Sequence, residues 1–340
     1  MSTIHIGLVG FGRIGRNLFR ILYKSDDVRI VAISDTAAPE ALEYLLRFDT
    51  LLGRFPDEIS LREGNLYAYG RQVKMLTGEK AGDEPWGDLD VDVVIEATGQ
   101  RRSRSELEAH LERGAKRVVL CSPPTDPPDI TVVVGVNDDR IEPAHRIISN
   151  SSCTAHCAAP VLRILDDAFG IERGFLSAVH AYTNQQRLAD VPSADKRRGR
   201  AAAENIIPQS TNAPQILMQL IPSLRGKIRG MAMNVPVPNG SVVDLVCWHQ
   251  SPVTKTAINE VVRTAAASRW SANLAYEDAP LVSSDILHSP HSGTFDGDAT
   301  LVLGTHVSKT LTWYDNGWGY AHRAIDLVRR LSSLDREATA

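Results

Sequence analysis

The sequence predicts an α/β domain in its N-terminal half, built as a doubly wound parallel sheet. Three observations support this. Short β-branched apolar runs alternate with apolar residues at helical spacing, the first strand breaks into a glycine-rich turn that opens a helix, and an acid ends the second strand. The chain has 340 residues, enough for two domains, and 43% hydrophobic residues, enough for sizeable cores. A net charge of -4 argues against a nucleic-acid or acidic-membrane partner. No apolar stretch reaches the ~18 residues of a membrane span, and no secretory signal is visible at the N-terminus. Cysteines stand at 121, 153, 157 and 247, which in such a chain read as reduced thiols of a cytoplasmic protein.

Ile4 to Val9 suits a buried parallel strand. Gly10-Phe11-Gly12-Arg13-Ile14-Gly15 follows, and Ile14, Leu18, Ile21 and Leu22 then mark a helix face. Val28 to Ser34 is a second strand and ends at Asp35. In a Rossmann-type turn of this layout the first glycine permits the turn, the second admits a pyrophosphate, and the third lets helix meet strand. The helix N-terminus offers N–H groups to phosphate, and Asp35 lies where an acid reaches a ribose hydroxyl. A bound dinucleotide is therefore expected. Strands are also expected at Val91 to Ala97, Arg117 to Cys121 and Ile130 to Val136, with a helix through Leu107, His110 and Leu111. Thr98, Gly99 and Cys121 fall at strand ends, where ligands of such sheets gather.

At Ser149-Asn150-Ser151-Ser152-Cys153-Thr154 a polar turn leads into a helix striped by Leu162, Leu165 and Phe169. A cysteine at that helix start, behind capping side chains, meets a dipole that favours a thiolate. Cys153, His156 and Cys157 share a helix face and could be zinc donors, but no fourth ligand completes a structural site, so no metal is expected. His180 ends a strand-like run from Phe175, and nothing local marks it as a base. Strands are expected at Ser241 to Trp248 and Thr300 to Thr312, and a last helix carries Ile325, Val328 and Leu331.

Taken together, GFGRIGR, FDTLLGRF, PWGDLDVDVVIEATG, GAKRVVL, VVVGVN, SNSSCT, HAYTNQQRLAD, RRGRAAAENIIP, VPVPNGSVVDL, PLVSSD and TWYDNGWGYAHRAIDL resemble, in this order, the phosphorylating glyceraldehyde-3-phosphate dehydrogenase family. The resemblance implies an NAD-binding domain over residues 1–152, with a C-terminal helix over 317–340 packing back on it. It implies an α+β catalytic domain with a large mixed sheet over 153–316. It also implies that Cys153 attacks an aldehyde and that His180 activates it and supports the oxyanion. Hydride then passes to a nicotinamide, and inorganic phosphate releases the thioester as an acyl phosphate. Gly10, Gly12, Arg13, Ile14, Gly15, Asp35, Asn316 and Tyr320 match cofactor positions. Ser152, Thr154, Thr183, Arg197 and Thr211 match phosphate positions, and Asn212 and Asn234 stand within that set. A homotetramer is implied, with 182–204 lining a neighbour's cofactor site.

Several positions depart from the family. Asn234 stands where an arginine grips the substrate's phosphate, and Asn212 where a glycine is usual. Pro214, His156, Gly317 and Arg101 replace a small residue, an asparagine, an acid and a phenylalanine. A paralogue with altered substrate preference is one expectation. Erythrose-4-phosphate dehydrogenase is an alternative, on LDDAFGIERG, AHRIISNSSC and HSPHSGTFDGDAT. An alternative of another class is an NAD-binding redox sensor with little turnover, since thiols at helix starts oxidise readily. Asp35 repels a 2′-phosphate and favours NAD, as Pro192 does by resemblance, while Thr36 resembles relatives that accept NADP. NAD is thus expected to be preferred, with some tolerance of NADP.

Overall fold

The computed structural model describes residues 3–337 and divides into two compact units. Unit 1 runs to Val132, resumes over Asn137–Ser151 and includes the chain from Ala321 onward. Unit 2 holds Val133–Val136 and Ser152–Tyr320.

Unit 1 contains β1 (Ile4–Val9), β2 (Val28–Ser34), a small hairpin of β3 (Phe48–Asp49) and β4 (Gly53–Arg54), β5 (Ile59–Arg62), β6 (Asn65–Ala68), β7 (Arg71–Leu76), β8 (Val93–Glu96), β9 (Arg117–Leu120), β10 (Ile130–Thr131) and β11 (Ile147–Ser149). Its sheet has the order β10-β11-β9-β8-β1-β2-β7-β6-β5 and is parallel from β10 through β7. The strand order reverses direction of growth at β1, with β8 on one side and β2 on the other, which is the crevice where such sheets bind ligands. Of the expected helix face, α1 (Arg13–Leu22) buries Leu18 and Leu22, joined by Phe19, while Ile14 and Ile21 are only half-buried. In α3 (Arg104–Glu112), which follows α2 (Pro39–Arg47), Ser103 caps the start in a reciprocal box with Glu106, and Leu107 and His110 are buried.

The antiparallel extension β5-β6-β7 was not expected from the sequence. Its two turns each place two residues at positive φ, Glu63-Gly64 and Tyr69-Gly70, the geometry that matches strand twist in a tight hairpin. The expected strand Ile130 to Val136 stops at Thr131. Gly135 takes φ +87, where a Cβ would lie 2.7 Å from the Asn273 carboxamide, so the chain turns instead of extending. Within unit 1, Arg329 of the last helix pairs with Asp27 at 2.6 Å, and Arg117 pairs with Asp335.

Unit 2 is a seven-stranded mixed sheet backed on one face by helices. Its strands are β12 (Ile171–Ala181), β13 (Ile207–Gln209), β14 (Ile228–Val235), β15 (Ser241–His249), β16 (Leu274–Glu277), β17 (Gly293–Leu303) and β18 (Val307–Tyr314), in the order β13-β14-β12-β15-β18-β17-β16. The helices α4 (Cys153–Phe169), α5 (Ala213–Leu220) and α6 (Lys255–Ala266) share one core with it, through Leu162, Leu217, Val262, Leu176, Leu245 and Phe295. The expected strand Thr300 to Thr312 is two strands, because Gly304 at φ +61 turns β17 back into β18. The last helix, α7 (Trp318–Glu337), starts in this unit.

The close helix–strand approach at the glycine turn can be tested. A Cβ on Gly15 would lie 2.2 Å from the Gly10 carbonyl oxygen, whereas one on Gly12 meets nothing within 4 Å. Gly15→Ala should cost about 1–3 kcal/mol in urea unfolding, with Gly12→Ala costing less. Equal midpoints for both variants would contradict this packing.

Candidate active site

In unit 1 the glycine turn forms a cradle. Gly10 takes φ +89 and donates its N–H to the Ser34 carbonyl at 2.7 Å, and a Cβ there would strike the Thr98 backbone at 2.7 Å. Asp35 accepts from Phe11 N–H at 2.7 Å and from Ala37 N–H at 3.0 Å, which ties the acid to the turn. No side chain caps α1, its first turn carries no acid, and Gly12 faces open space. An uncapped helix start beside a glycine with room above it fits the pyrophosphate of a dinucleotide. Thr98 and Cys121 converge on Glu96. Thr98 N–H donates to Glu96 Oε1 at 2.8 Å, and Cys121 N–H donates to the Glu96 carbonyl at 2.9 Å.

Arg101 fills its altered position with polar partners. It donates to Glu84 Oε1 at 3.1 Å and to the Gly78 carbonyl at 2.7 Å, and Glu84 also accepts from Ser34 Oγ at 2.7 Å. Behind them Trp86 Nε1–H donates to His110 Nδ1 at 3.1 Å, which leaves the imidazole proton on Nε2.

In unit 2, α4 begins at Cys153 because Ser152 caps it, accepting from Ala155 N–H at 3.1 Å. Cys153 and Thr154 are its first two residues, whose amides have no intrahelical acceptor. Cys153 Sγ lies 3.5 Å from His180 Nε2. The other ring nitrogen, Nδ1, lies 2.6 Å from the Ala181 carbonyl oxygen. A carbonyl only accepts, so Nδ1 carries the proton and the Nε2 lone pair faces the sulfur. Thiol and base are thus brought together from a helix start and a strand end, 27 residues apart in the chain.

Ala181 lies past the last antiparallel pair of β12 with β15, Val179 with Val242, and takes side-chain partners. Its N–H donates to Ser241 Oγ at 3.0 Å, and Ser241 in turn donates to Asn316 Oδ1 at 3.1 Å. Its carbonyl accepts from both His180 and the Asn234 amide, the latter at 3.3 Å. Asn316 is further placed by the buried Asp315, which accepts from the N–H groups of Gly317, Trp318 and His288 and from Asn239. The buried Tyr314 stands edge-on to His180 and bonds Thr154 Oγ1 at 3.0 Å. Burial, with the Cys153 and Cys157 sulfurs nearby, raises its pKa, so the phenol stays protonated.

The sequence reading missed Ser241, Tyr314 and Asp315. An aspartate just before a helix start is a capping signal and could have revealed Asp315. Nothing local distinguishes the other two.

The remaining expected positions are more dispersed. Thr211 Oγ1 accepts from Ala213 N–H at 3.2 Å, and Asn212 is the exposed residue before α5. Thr183 N–H donates to Gln186 Oε1 at 2.9 Å. Arg197 is exposed, and among the described residues no hydrogen bond or ion pair joins it to Cys153 or His180. Tyr320 stands edge-on to His156. The three zinc-type donors point to different partners. His156 uses Nδ1–H on the Ser152 carbonyl at 3.1 Å and accepts Val134 N–H at Nε2 at 3.3 Å, while Cys157 lies against the Thr312 carbonyl.

Residues 4–104 match the family model described as the NAD binding domain of glyceraldehyde 3-phosphate dehydrogenase, and residues 152–316 match its C-terminal domain. A curated relative from Streptomyces avermitilis, glyceraldehyde-3-phosphate dehydrogenase 2, is 45% identical over 329 residues, 96% of this chain and 98% of its own. Glyceraldehyde-3-phosphate dehydrogenase of Streptomyces coelicolor is 46% identical over 329 residues, with the same shares of the two chains. That of Geobacillus stearothermophilus is 43% identical over 332 residues, 97% and 99% of the two chains.

Thiol reactivity should follow this geometry. Burial raises the pKa of Cys157 well above that of an ordinary thiol and pushes Cys247 up to about 12, so both stay protonated near neutrality. Limited iodoacetamide treatment at neutral pH should label Cys153 ahead of Cys157 and Cys247 in peptide mass spectra. His180→Ala should slow Cys153 labelling about tenfold. Labelling of Cys157 before Cys153 would contradict the arrangement.

Proposed function

The chain belongs to the glyceraldehyde-3-phosphate dehydrogenase family, and from that membership we propose that it oxidises glyceraldehyde 3-phosphate to 1,3-bisphosphoglycerate with NAD and inorganic phosphate. The observation that carries the reading is the Cys153 sulfur 3.5 Å from Nε2 of His180, the ring nitrogen left to accept when Nδ1 donates to the Ala181 carbonyl. His180 Nε2 takes the thiol proton, and the thiolate attacks the aldehyde carbon to form a thiohemiacetal. The imidazolium then donates to the developing oxyanion, aided by the amides at the start of α4. NAD, when bound, supplies the acceptor for the hydride that leaves this carbon. His180 takes the hydroxyl proton as the thioester forms, and phosphate oxygen then attacks the thioester carbon, releasing acyl phosphate and thiolate.

Gly10, Gly12, Arg13, Ile14, Gly15 and Asp35 would hold NAD, with Thr98, Cys121, Asn316 and Tyr320 contributing. Asn316, held through its oxygen by Ser241, can present its amide N–H groups to a carboxamide. Ser152, Thr154, Thr183, Arg197, Thr211 and Asn212 are the proposed contacts of the substrate's phosphate and of inorganic phosphate. Ser152 Oγ accepts the helix-cap N–H and Thr154 Oγ1 can accept from the Tyr314 hydroxyl, so each would donate its own hydroxyl proton to a phosphate oxygen. Asp35 favours NAD over NADP.

We also propose a homotetramer and a cytoplasmic location. On the sheet face of unit 2 away from its helices, Phe175, Met231, Leu301 and Leu303 are exposed, and strand register puts them on one side. An apolar face of this kind supports burial by further copies. No helix among the described residues is long and apolar enough to cross a membrane.

NADH formation from glyceraldehyde 3-phosphate should require inorganic phosphate, and Cys153→Ser should lower it at least about a thousandfold. NADH formation indifferent to both changes would exclude this chemistry. Light scattering of purified protein should give four times the chain mass of 37.2 kDa. A single-chain mass would exclude the assembly.

A further inference from the structure

We propose that Asn234 is a positioning residue for the His180 imidazole and not a ligand of the substrate's phosphate. The inference rests on the reading of Cys153 and His180 given above. Asn234 pairs with His180 across the parallel β12–β14 ladder, so the two side chains leave the same sheet face as neighbours. The Asn234 carboxamide donates to the Ala181 carbonyl at 3.3 Å, and this is the oxygen that accepts the His180 Nδ1 proton at 2.6 Å. That oxygen has two lone pairs, and the two donors together use both. Ala181 sits beyond the antiparallel ladder, so side chains hold its backbone N–H and carbonyl in place of a β15 backbone partner. Ser241 holds its N–H, and Asn234 and His180 hold its carbonyl. Asn234 therefore fixes the acceptor that sets which imidazole nitrogen is protonated and where Nε2 points. A carboxamide carries no charge with which to grip a phosphate, its described bond is spent on Ala181, and a neutral donor in this place leaves the ring tautomer undisturbed.

The test compares wild type with Asn234→Leu, which keeps size without a donor, and Asn234→Thr, which suits a strand but whose hydroxyl is too short to reach. Iodoacetamide alkylation of Cys153 at neutral pH requires no aldehyde, so it probes Asn234 even where phosphate-dependent oxidation fails. Both variants should slow alkylation about fivefold, the effect of one net hydrogen bond. With glyceraldehyde 3-phosphate, kcat should fall by a similar factor while KM stays within about twofold. Unchanged alkylation with a raised KM would overturn the proposal and make Asn234 a substrate contact. Unchanged alkylation and unchanged kinetics would overturn it as well. Should one variant fail to fold, the other carries the same comparison.

Discussion

The backbone of Ala181, its N–H and its carbonyl, is the constraint on which the candidate site depends. It ends β12 where the antiparallel ladder has run out, so its polar groups must find partners elsewhere or remain unsatisfied. The partners it finds are His180 and Asn234 on the carbonyl and Ser241, leading to Asn316, on the N–H. The backbone groups of one residue thus orient the proposed base and, through one hydroxyl, the proposed carboxamide contact. The imidazole is left with one tautomer because a carbonyl cannot donate, and that tautomer presents its lone pair to the sulfur. The described positioning uses a backbone carbonyl and the neutral side chains of Asn234 and Tyr314.

A second rigid element supports the first from outside. Asp315 is buried and accepts four hydrogen bonds, which joins the end of β18, the start of α7 and the residues Asn239 and His288. A buried carboxylate is costly unless its lone pairs are filled, and here all are. Asn316 follows it directly, so its direction is set by its neighbour before any ligand arrives. On the opposite side Tyr314 closes the ring of contacts, edge-on to His180 and bonded to Thr154 at the head of the cysteine helix.

The departures from the family have separate physical outcomes. Arg101 finds Glu84 and a carbonyl, so a charge where an aromatic ring is usual is compensated inside unit 1. His156 bridges the start of α4 to the loop at Val134 with both ring nitrogens, which an asparagine could do only with a shorter reach. Asn234 turns inward to Ala181. Asn212 remains exposed ahead of α5, and nothing in the structure explains the change there.

The sequence by itself determined the repeated strand-and-helix order of the first half, the glycine turn with its acid, and the capped cysteine at a helix start. Each of these depends on residues adjacent in the chain, through periodicity, φ preference and capping, so local chemistry suffices to read them. His180 was recognisable only by resemblance, because its role depends on β12 bringing it to α4. Tertiary structure alone decided which carbonyl holds the ring, that Ser241 and Tyr314 take part, and that Asn234 faces Ala181. It also decided that the strand after Ile130 ends early and that the run from Thr300 folds back at Gly304. Strand register and the satisfaction of buried polar groups join residues dozens of positions apart, and no local pattern carries that information.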